Sequence, residues 1–274
     1  MPDALVDGRP ADGVPVDDRG LLYGDGLFET IAFHSGTAPL WPLHMDRLRR
    51  GAEALAIPLP APALLERECE ELAGGHGRCV VRLTLTRGSG GQAYFPPDEP
   101  APRRILLRRP FPADAVRQRS EGLRMITARQ RLEGAIAGGG WKHLNRLPQV
   151  LVAAEVRRAG ADEAVVLDAR GRLVEALAGN LVIVRGDRLL VPRSHGAAVS
   201  GVGLAWLRER AGEGIEEADL TRESLRSDDA IWVINSVAGI RPAAALDGRK
   251  HPAGAPLERW QQHWLHDIES PGNR

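Results

Sequence analysis

Apolar positions recur along this chain in two rhythms. Over residues 44–56, HMDRLRRGAEALA, Met45, Leu48, Ala52 and Leu55 fall at three- and four-residue intervals, which predicts an amphipathic helix. Pro58, Pro60 and Pro62 break it, and a second helix is expected over 63–73. Over 79–86, CVVRLTLT, the period drops to two, and Val81, Leu83 and Leu85 share one face of a predicted strand. RGSGG at 87–91 is too rich in glycine to continue that strand. Further strands are expected at 4–7, 26–33 and 105–107. Between about 110 and 122 the chain turns polar and proline-bearing. This predicts a smaller α/β domain over 1–112, a linker over 113–121 and a larger domain over 122–274. In the second domain a strand is expected at 123–128. A helix should follow at 145–158, with Leu147, Val150, Leu151, Ala154 and Val156 inside. AVVLD at 164–168 reads as a buried strand, and 171–192 as turn, strand, turn, strand. A loop through 194–200, a helix from near Gly201, a strand at 228–236 and a helix over 256–267 complete the pattern, which contains no internal repeat.

Composition narrows the function classes. The chain has 274 residues, 43% hydrophobic and 26% charged, enough to bury a core without staples. Basic and acidic residues number 36 each, so the net charge is zero and the electrostatic footprint of a nucleic-acid binder is missing. A membrane partner is not expected either, since no apolar stretch has spanning length. The N-terminal residues MPDALVDGRPADG lack an apolar h-region, so they do not read as a secretory signal. Cys69 and Cys79 are the only cysteines, too few for a disulfide framework or a zinc site. A cytoplasmic protein without a metal is the expectation.

Lysine occurs at two positions only, 142 and 250. Lys250 sits in the turn-like DGRKHP, whereas Lys142 follows the glycines at 138–140 and precedes a predicted helix. A lone lysine is ordinarily a solvated charge. The neighbours of Lys142 are apolar or aromatic, however, and no acidic residue lies close by in sequence. A desolvated lysine has a lowered pKa and makes a good amine nucleophile. Glu175 lies on the strand candidate LVEALAGNLV; such a residue either faces outward or supplies a carboxylate to a site. Arg47, on the first helix, offers a bidentate fork for an anion. SGVG at 200–203 opens a helix with small residues, and free N–H groups there suit a phosphate.

These residues sit in segments with a wider resemblance. DRGLLYGDGLFET (18–30), HMDRL (44–48), TRGSGG (86–91), KHLNRLPQVL (142–151), ADEAVVLD (161–168), LVEALAGNL (173–181), SGVG (200–203) and NSVAGIRP (235–242) carry it. Together they resemble the fold-type IV pyridoxal-phosphate enzymes, a family of branched-chain aminotransferases, D-amino-acid aminotransferases and aminodeoxychorismate lyases. KHLNRL and RGSGG are most similar to the lyase branch. The resemblance implies an α/β (α+β) two-domain fold, D-amino-acid aminotransferase-like, with pyridoxal 5'-phosphate in the interdomain cleft. It implies Lys142 as the Schiff-base lysine, Glu175 as partner of the pyridine nitrogen, and Arg47 with the Val202–Gly203 backbone as the phosphate grip. Asn235 and Ser236 would border the substrate carboxylate, and Thr30 is a candidate proton donor to the leaving group. A homodimer acting on a small molecule is implied, converting 4-amino-4-deoxychorismate to 4-aminobenzoate and pyruvate on the way to folate. An aminotransferase of the same fold and a non-catalytic pyridoxal-phosphate-binding or regulatory protein are the alternatives. The chain departs from its relatives at ALAGN after Glu175, at Gln92 and at Gly203, and an arginine–x–histidine pair after Gly88 is missing. That last departure counts against the D-amino-acid branch.

Overall fold

The computed structural model describes residues 3–132, 134, 139–193 and 195–270; Gly138, where the glycine run begins, lies outside them. The chain folds as two compact units. The first comprises residues 3–111 with Trp141–Asn145, and the second residues 112–140 with Arg146–Glu269.

The first unit is built on a five-stranded antiparallel sheet. Its strands are β1 (Ala4–Val6), β2 (Arg9–Pro10), β3 (Gly26–His34), β4 (Arg78–Thr86) and β5 (Arg103–Pro110), in the order β2-β1-β5-β4-β3. A short helix α1 (Arg19–Tyr23) precedes β3; α2 (Trp41–Ala54) and α3 (Pro62–Ala73) follow it. The alternation read in CVVRLTLT holds: Val81, Leu83 and Leu85 are fully buried and form one core with Leu27, Ile31, Met45, Leu48 and Leu65. The opposite face of β4 carries Arg82 and Thr84, both half-buried. In register, Thr30 stands across from Arg82, Phe28 from Thr84 and Glu29 from Leu83. Directly opposed residues share a face. Phe28, Thr30, Arg82 and Thr84 therefore lie on one side of the sheet, and Glu29 lies on the other, with the core.

The second unit holds a nine-stranded mixed sheet. Its elements are α4 (Ala115–Glu121), β6 (Leu123–Leu132), α5 (Leu147–Arg158), β7 (Glu163–Asp168), β8 (Leu173–Ala176), β9 (Asn180–Arg185), β10 (Arg188–Pro192), α6 (Val202–Ala211), β11 (Ile215–Ala218), β12 (Ala230–Asn235), β13 (Gly239–Leu246), β14 (Arg249–Lys250) and α7 (Leu257–Trp264). The strand order is β11-β10-β9-β12-β13-β6-β7-β8, with β14 paired to β13. β6 runs parallel to both β7 and β13, and the other pairs along this path are antiparallel except β10 with β11.

Three sequence expectations need correcting. The stretch expected as a linker forms α4. Arg119 from it donates through Nε to Ala238 O at 2.8 Å and pairs with Glu269, so the segment packs into the second unit. The expected face of α5 holds at Val156 but not before it: Val152 and Val156 are its buried residues, while Leu147, Val150 and Leu151 are exposed at 68%, 60% and 47%. PQVLVAAEV is apolar nearly all round, so periodicity alone does not choose a face. Glu155 chooses it, accepting from the N–H groups of Arg129 at 2.7 Å and Gln130 at 3.0 Å on β6. Finally, Trp141–Asn145 belongs to the first unit although it lies far along the chain from residues 3–111.

Candidate active site

Lys142 is held by backbone pairing. Strand β3 is the edge of its sheet. Residues 142–144 run along that edge: Phe28 N–H donates to Lys142 O at 2.9 Å, and Leu144 N–H donates to Gly26 O at 3.0 Å. Trp141 packs against the core of the first unit, and Asn145 Nδ2 donates to Gly24 O at 3.1 Å. A segment that follows a run of glycines in the sequence is thus a fixed mount. The Lys142 side chain is half-buried, with Nζ 4.6 Å from the centre of the Phe28 ring. Thr30 and Arg82 share this sheet face, and the Arg82 guanidinium carbon lies 3.8 Å from the same ring.

Arg47 is buried, not a residue of the helix surface. Its Nε donates to Glu29 Oε1 at 2.8 Å, and Nη2 donates to Oε2. His44 Nδ1 lies 2.6 Å from Glu29 Oε2. Burial alone would push the Glu29 carboxyl up. The Arg47 charge and the hydrogen bonds from Arg47 and His44 outweigh burial and hold it at about 2. Burial drives the His44 imidazole below its usual range against the pull of Glu29, and the nearby charges of Arg47 and Lys142 add to the lowering. A neutral His44 donating from Nδ1 satisfies Glu29 while Arg47 carries the balancing charge. Glu29 and His44 escaped the sequence reading. The available signals were an acidic residue inside an otherwise apolar strand and a histidine three positions before Arg47 on the buried helix stripe.

The second unit assembles the remaining candidates. Glu175, on β8, is buried, and its Oε2 accepts from Val199 N–H at 2.9 Å. The alternative of an outward-facing strand residue is therefore set aside. Asn180 Nδ2 donates to Val199 O at 2.9 Å, so the loop before α6 is held from two sides. Helix α6 starts at Val202 after the N-cap Gly201, and no side chain caps it. Both glycines are required by close approach. A Cβ on Gly201 would stand 1.7 Å from Asn180 Oδ1, and one on Gly203 would stand 2.9 Å from the Asn235 carbonyl carbon. Asn235 bridges two turns: Oδ1 accepts from Val237 N–H at 3.0 Å and Ala238 N–H at 2.7 Å in its own turn, and Nδ2 donates to Ala178 O at 2.8 Å in the turn between β8 and β9. Ser236 is half-buried beside it.

Each unit carries its own chemistry: the first holds an amine on a backbone-paired mount, and the second holds a buried carboxylate on β8 and an uncapped helix start whose N–H groups suit an anion. The protein-family model described as amino-transferase class IV matches residues 26–246. The chain belongs to the class IV aminotransferase family. Among its relatives in that family is a solved structure of 4-amino-4-deoxychorismate lyase from Pseudomonas aeruginosa, 40% identical, with a TM-score of 0.91 over 97% of this chain and 99% of that one. An aminodeoxychorismate lyase from Vibrio harveyi is 28% identical over 92% of this chain and 94% of its own length. A protein assigned as a branched-chain-amino-acid aminotransferase, from Methanocaldococcus jannaschii, is 32% identical over 86% of this chain and 83% of its own. The two-unit α/β architecture read from the motifs is that of this family. No helix among the described residues is long and apolar enough to cross a membrane.

Proposed function

We propose that this class IV family member is a pyridoxal-phosphate-dependent lyase that splits 4-amino-4-deoxychorismate into 4-aminobenzoate and pyruvate. The observation that carries the reading is Lys142, fixed by backbone pairing to β3 and seated on Phe28, in a chain 40% identical along nearly its whole length to a lyase of that name. Lys142 would anchor the cofactor, Arg47 and the Val202–Gly203 N–H groups would hold its phosphate, and Glu175 would pair with its ring nitrogen. When bound, the cofactor supplies an electron sink for the carbon that carries the substrate amine. The Lys142 amine takes the proton from that carbon. The ether C–O bond breaks, and the enolpyruvyl fragment picks up a proton to become pyruvate, so no oxidant or co-substrate is consumed. Thr30, half-buried on the sheet face of Phe28, is the candidate proton donor to that fragment. The gain of an aromatic ring makes the step downhill.

The reading extends to a cytoplasmic homodimer acting in folate synthesis. The exposed apolar run Leu147, Val150 and Leu151 on α5 supports a second copy as its partner, since contiguous apolar faces of this kind mark interaction sites. Purified protein given aminodeoxychorismate should release 4-aminobenzoate and pyruvate with no keto acid present. Borohydride reduction should fix the cofactor on Lys142 and leave the exposed Lys250 unlabelled. Label on Lys250 would overturn the anchor. The 32%-identical aminotransferase relative keeps a second reading in play: transamination, in which turnover stops unless an α-keto acid is supplied.

A further inference from the structure

Glu163 is a buried carboxylate that the proposed chemistry does not use. It opens β7 in the interior of the second unit. Its cation is Arg241 of β13, also buried, whose Nη2 lies 3.5 Å from Glu163 Oε2. Arg241 Nη1 donates to Gln118 Oε1 of α4 at 2.9 Å. Burial pushes the Glu163 carboxyl up and the Arg241 guanidinium down, each against the pull of the other charge. Such a pair adds little net stability, because apolar residues of similar volume fill the same space without desolvating a charge. What Glu163 does hold is backbone. Its Oε1 accepts from Ala164 N–H at 3.1 Å and from Ala178 N–H at 3.3 Å.

Ala178 lies in the tight turn between β8 and β9, which Ala176 N–H closes by donating to Gly179 O at 2.8 Å. The Ala178 carbonyl accepts from Asn235 Nδ2 at 2.8 Å, and a Cβ on Gly179 would stand 2.7 Å from Ile234 O. The turn is therefore wedged between Glu163 and the end of β12. The two residues that flank it, Glu175 and Asn180, grip Val199 by its N–H and its carbonyl, both at 2.9 Å. We propose that Glu163 is a positioning residue for the cofactor. By fixing the Ala178 peptide it sets the Glu175 carboxylate, the Val199 loop that leads into α6, and the Asn235 turn that carries Ser236. The inference rests on the proposed seat of pyridoxal phosphate at Glu175 and the start of α6. An apolar side chain could fill the volume of Glu163, yet the Ala178 N–H would lose its acceptor and the turn would lose its lock.

The test separates holding the turn from holding the fold, with full-length protein stripped of cofactor and reloaded. Glu163→Gln keeps an acceptor for Ala178 N–H but strands the Arg241 charge. Thermal stability should fall, while affinity for pyridoxal 5'-phosphate stays within about twofold of the parent. Glu163→Met combined with Arg241→Met removes both charges and the acceptor. Stability should stay near the parental value, while cofactor affinity falls roughly tenfold and the circular dichroism of the bound cofactor weakens. An affinity that follows stability instead, lost with Glu163→Gln and kept in the double methionine variant, would overturn the proposal. If the double variant does not fold, Glu163→Asp takes its place: it keeps a charge for Arg241 but is one methylene short of Ala178 N–H. Cofactor affinity unchanged by Glu163→Asp would also overturn the proposal. If Glu175→Gln leaves the cofactor absorbance and turnover untouched, the ring-nitrogen reading fails, whereas the crossed pattern of stability and affinity still assigns the cofactor's seat to Glu163.

Discussion

At the residue scale the buried Glu29–His44–Arg47 group makes acid stability a local property. The Glu29 carboxyl sits at about 2 in the folded protein against 4.5 for a free glutamate. The unfolded chain therefore binds the extra proton first. The stabilisation is complete above about 4.5 and is lost as pH falls toward 2. His44, held below its usual 6.5, acts in the same direction from a higher starting point, since the unfolded imidazole takes its proton first. Denaturant titrations should show stability falling in two stages below pH 6.5. Glu29→Gln should flatten the lower stage and His44→Asn the upper one; unchanged profiles would mean that the charges are balanced by other groups. Arg47→Ala leaves Glu29 without its cation, a change that typically costs about 3–5 kcal/mol when the partner stays buried. Under the proposed role it also weakens cofactor retention roughly ten- to a hundredfold. A variant that loses stability but holds the cofactor as tightly as before would make Arg47 structural only. Glu175→Gln keeps the shape and can still accept from Val199 N–H, so substrate binding should persist. A change of two pKa units at the ring nitrogen is about 2.7 kcal/mol, which predicts roughly a hundredfold fall in turnover. Turnover near the parental rate would remove Glu175 from the ring-nitrogen role.

At the scale of elements, the start of α6 shows how packing fixes a binding surface. The helix opens without a side-chain cap because its N-cap is Gly201, where Asn180 leaves no room for a side chain, and one turn in Gly203 lies against Asn235 at the end of β12. Gly203→Val should push the first turn of α6 away from Asn235. Overpacking of this kind costs about 1–3 kcal/mol, and the phosphate grip should loosen with it. Parallel measurement of thermal unfolding and cofactor affinity checks this. A variant with both unchanged would show that the close approach is not a constraint. The edge of β3 shows the complementary case. An edge strand exposes unpaired backbone groups, and here the Trp141–Asn145 segment covers them and is itself made rigid. Lys142 gains its fixed position from the strand's need for a partner.

At the scale of the whole molecule, the exposed face of α5 bears on the assembly. Leu147 and Leu151 lie four residues apart on one helix face, as an apolar stripe without cover among the described residues. Replacing both with glutamate should shift the proposed dimer toward monomer in sedimentation while leaving the fold intact, because neither residue is in the core. A distribution unchanged by the two charges would place any dimer interface elsewhere.

The sequence by itself determined the elements whose period was clean, such as α2, α3 and β4, and the family through its motifs. It also singled out Lys142, because only two lysines exist and the other sits in the turn-like stretch DGRKHP, where the structure forms the short strand β14. Local spacing encodes these things, since side-chain periodicity reports which face is apolar and motif residues are neighbours in the chain. The tertiary structure alone decided which face of α5 is buried, that 115–121 is a packed helix, and that Lys142 is mounted on β3. It also decided that Arg47 and His44 both meet Glu29, and that the Arg82 guanidinium stacks on Phe28 with no carboxylate paired to it among the described residues. Each of these depends on which charge or backbone group meets which across elements distant in sequence. The cost of leaving such groups unpaired is settled only when the elements pack.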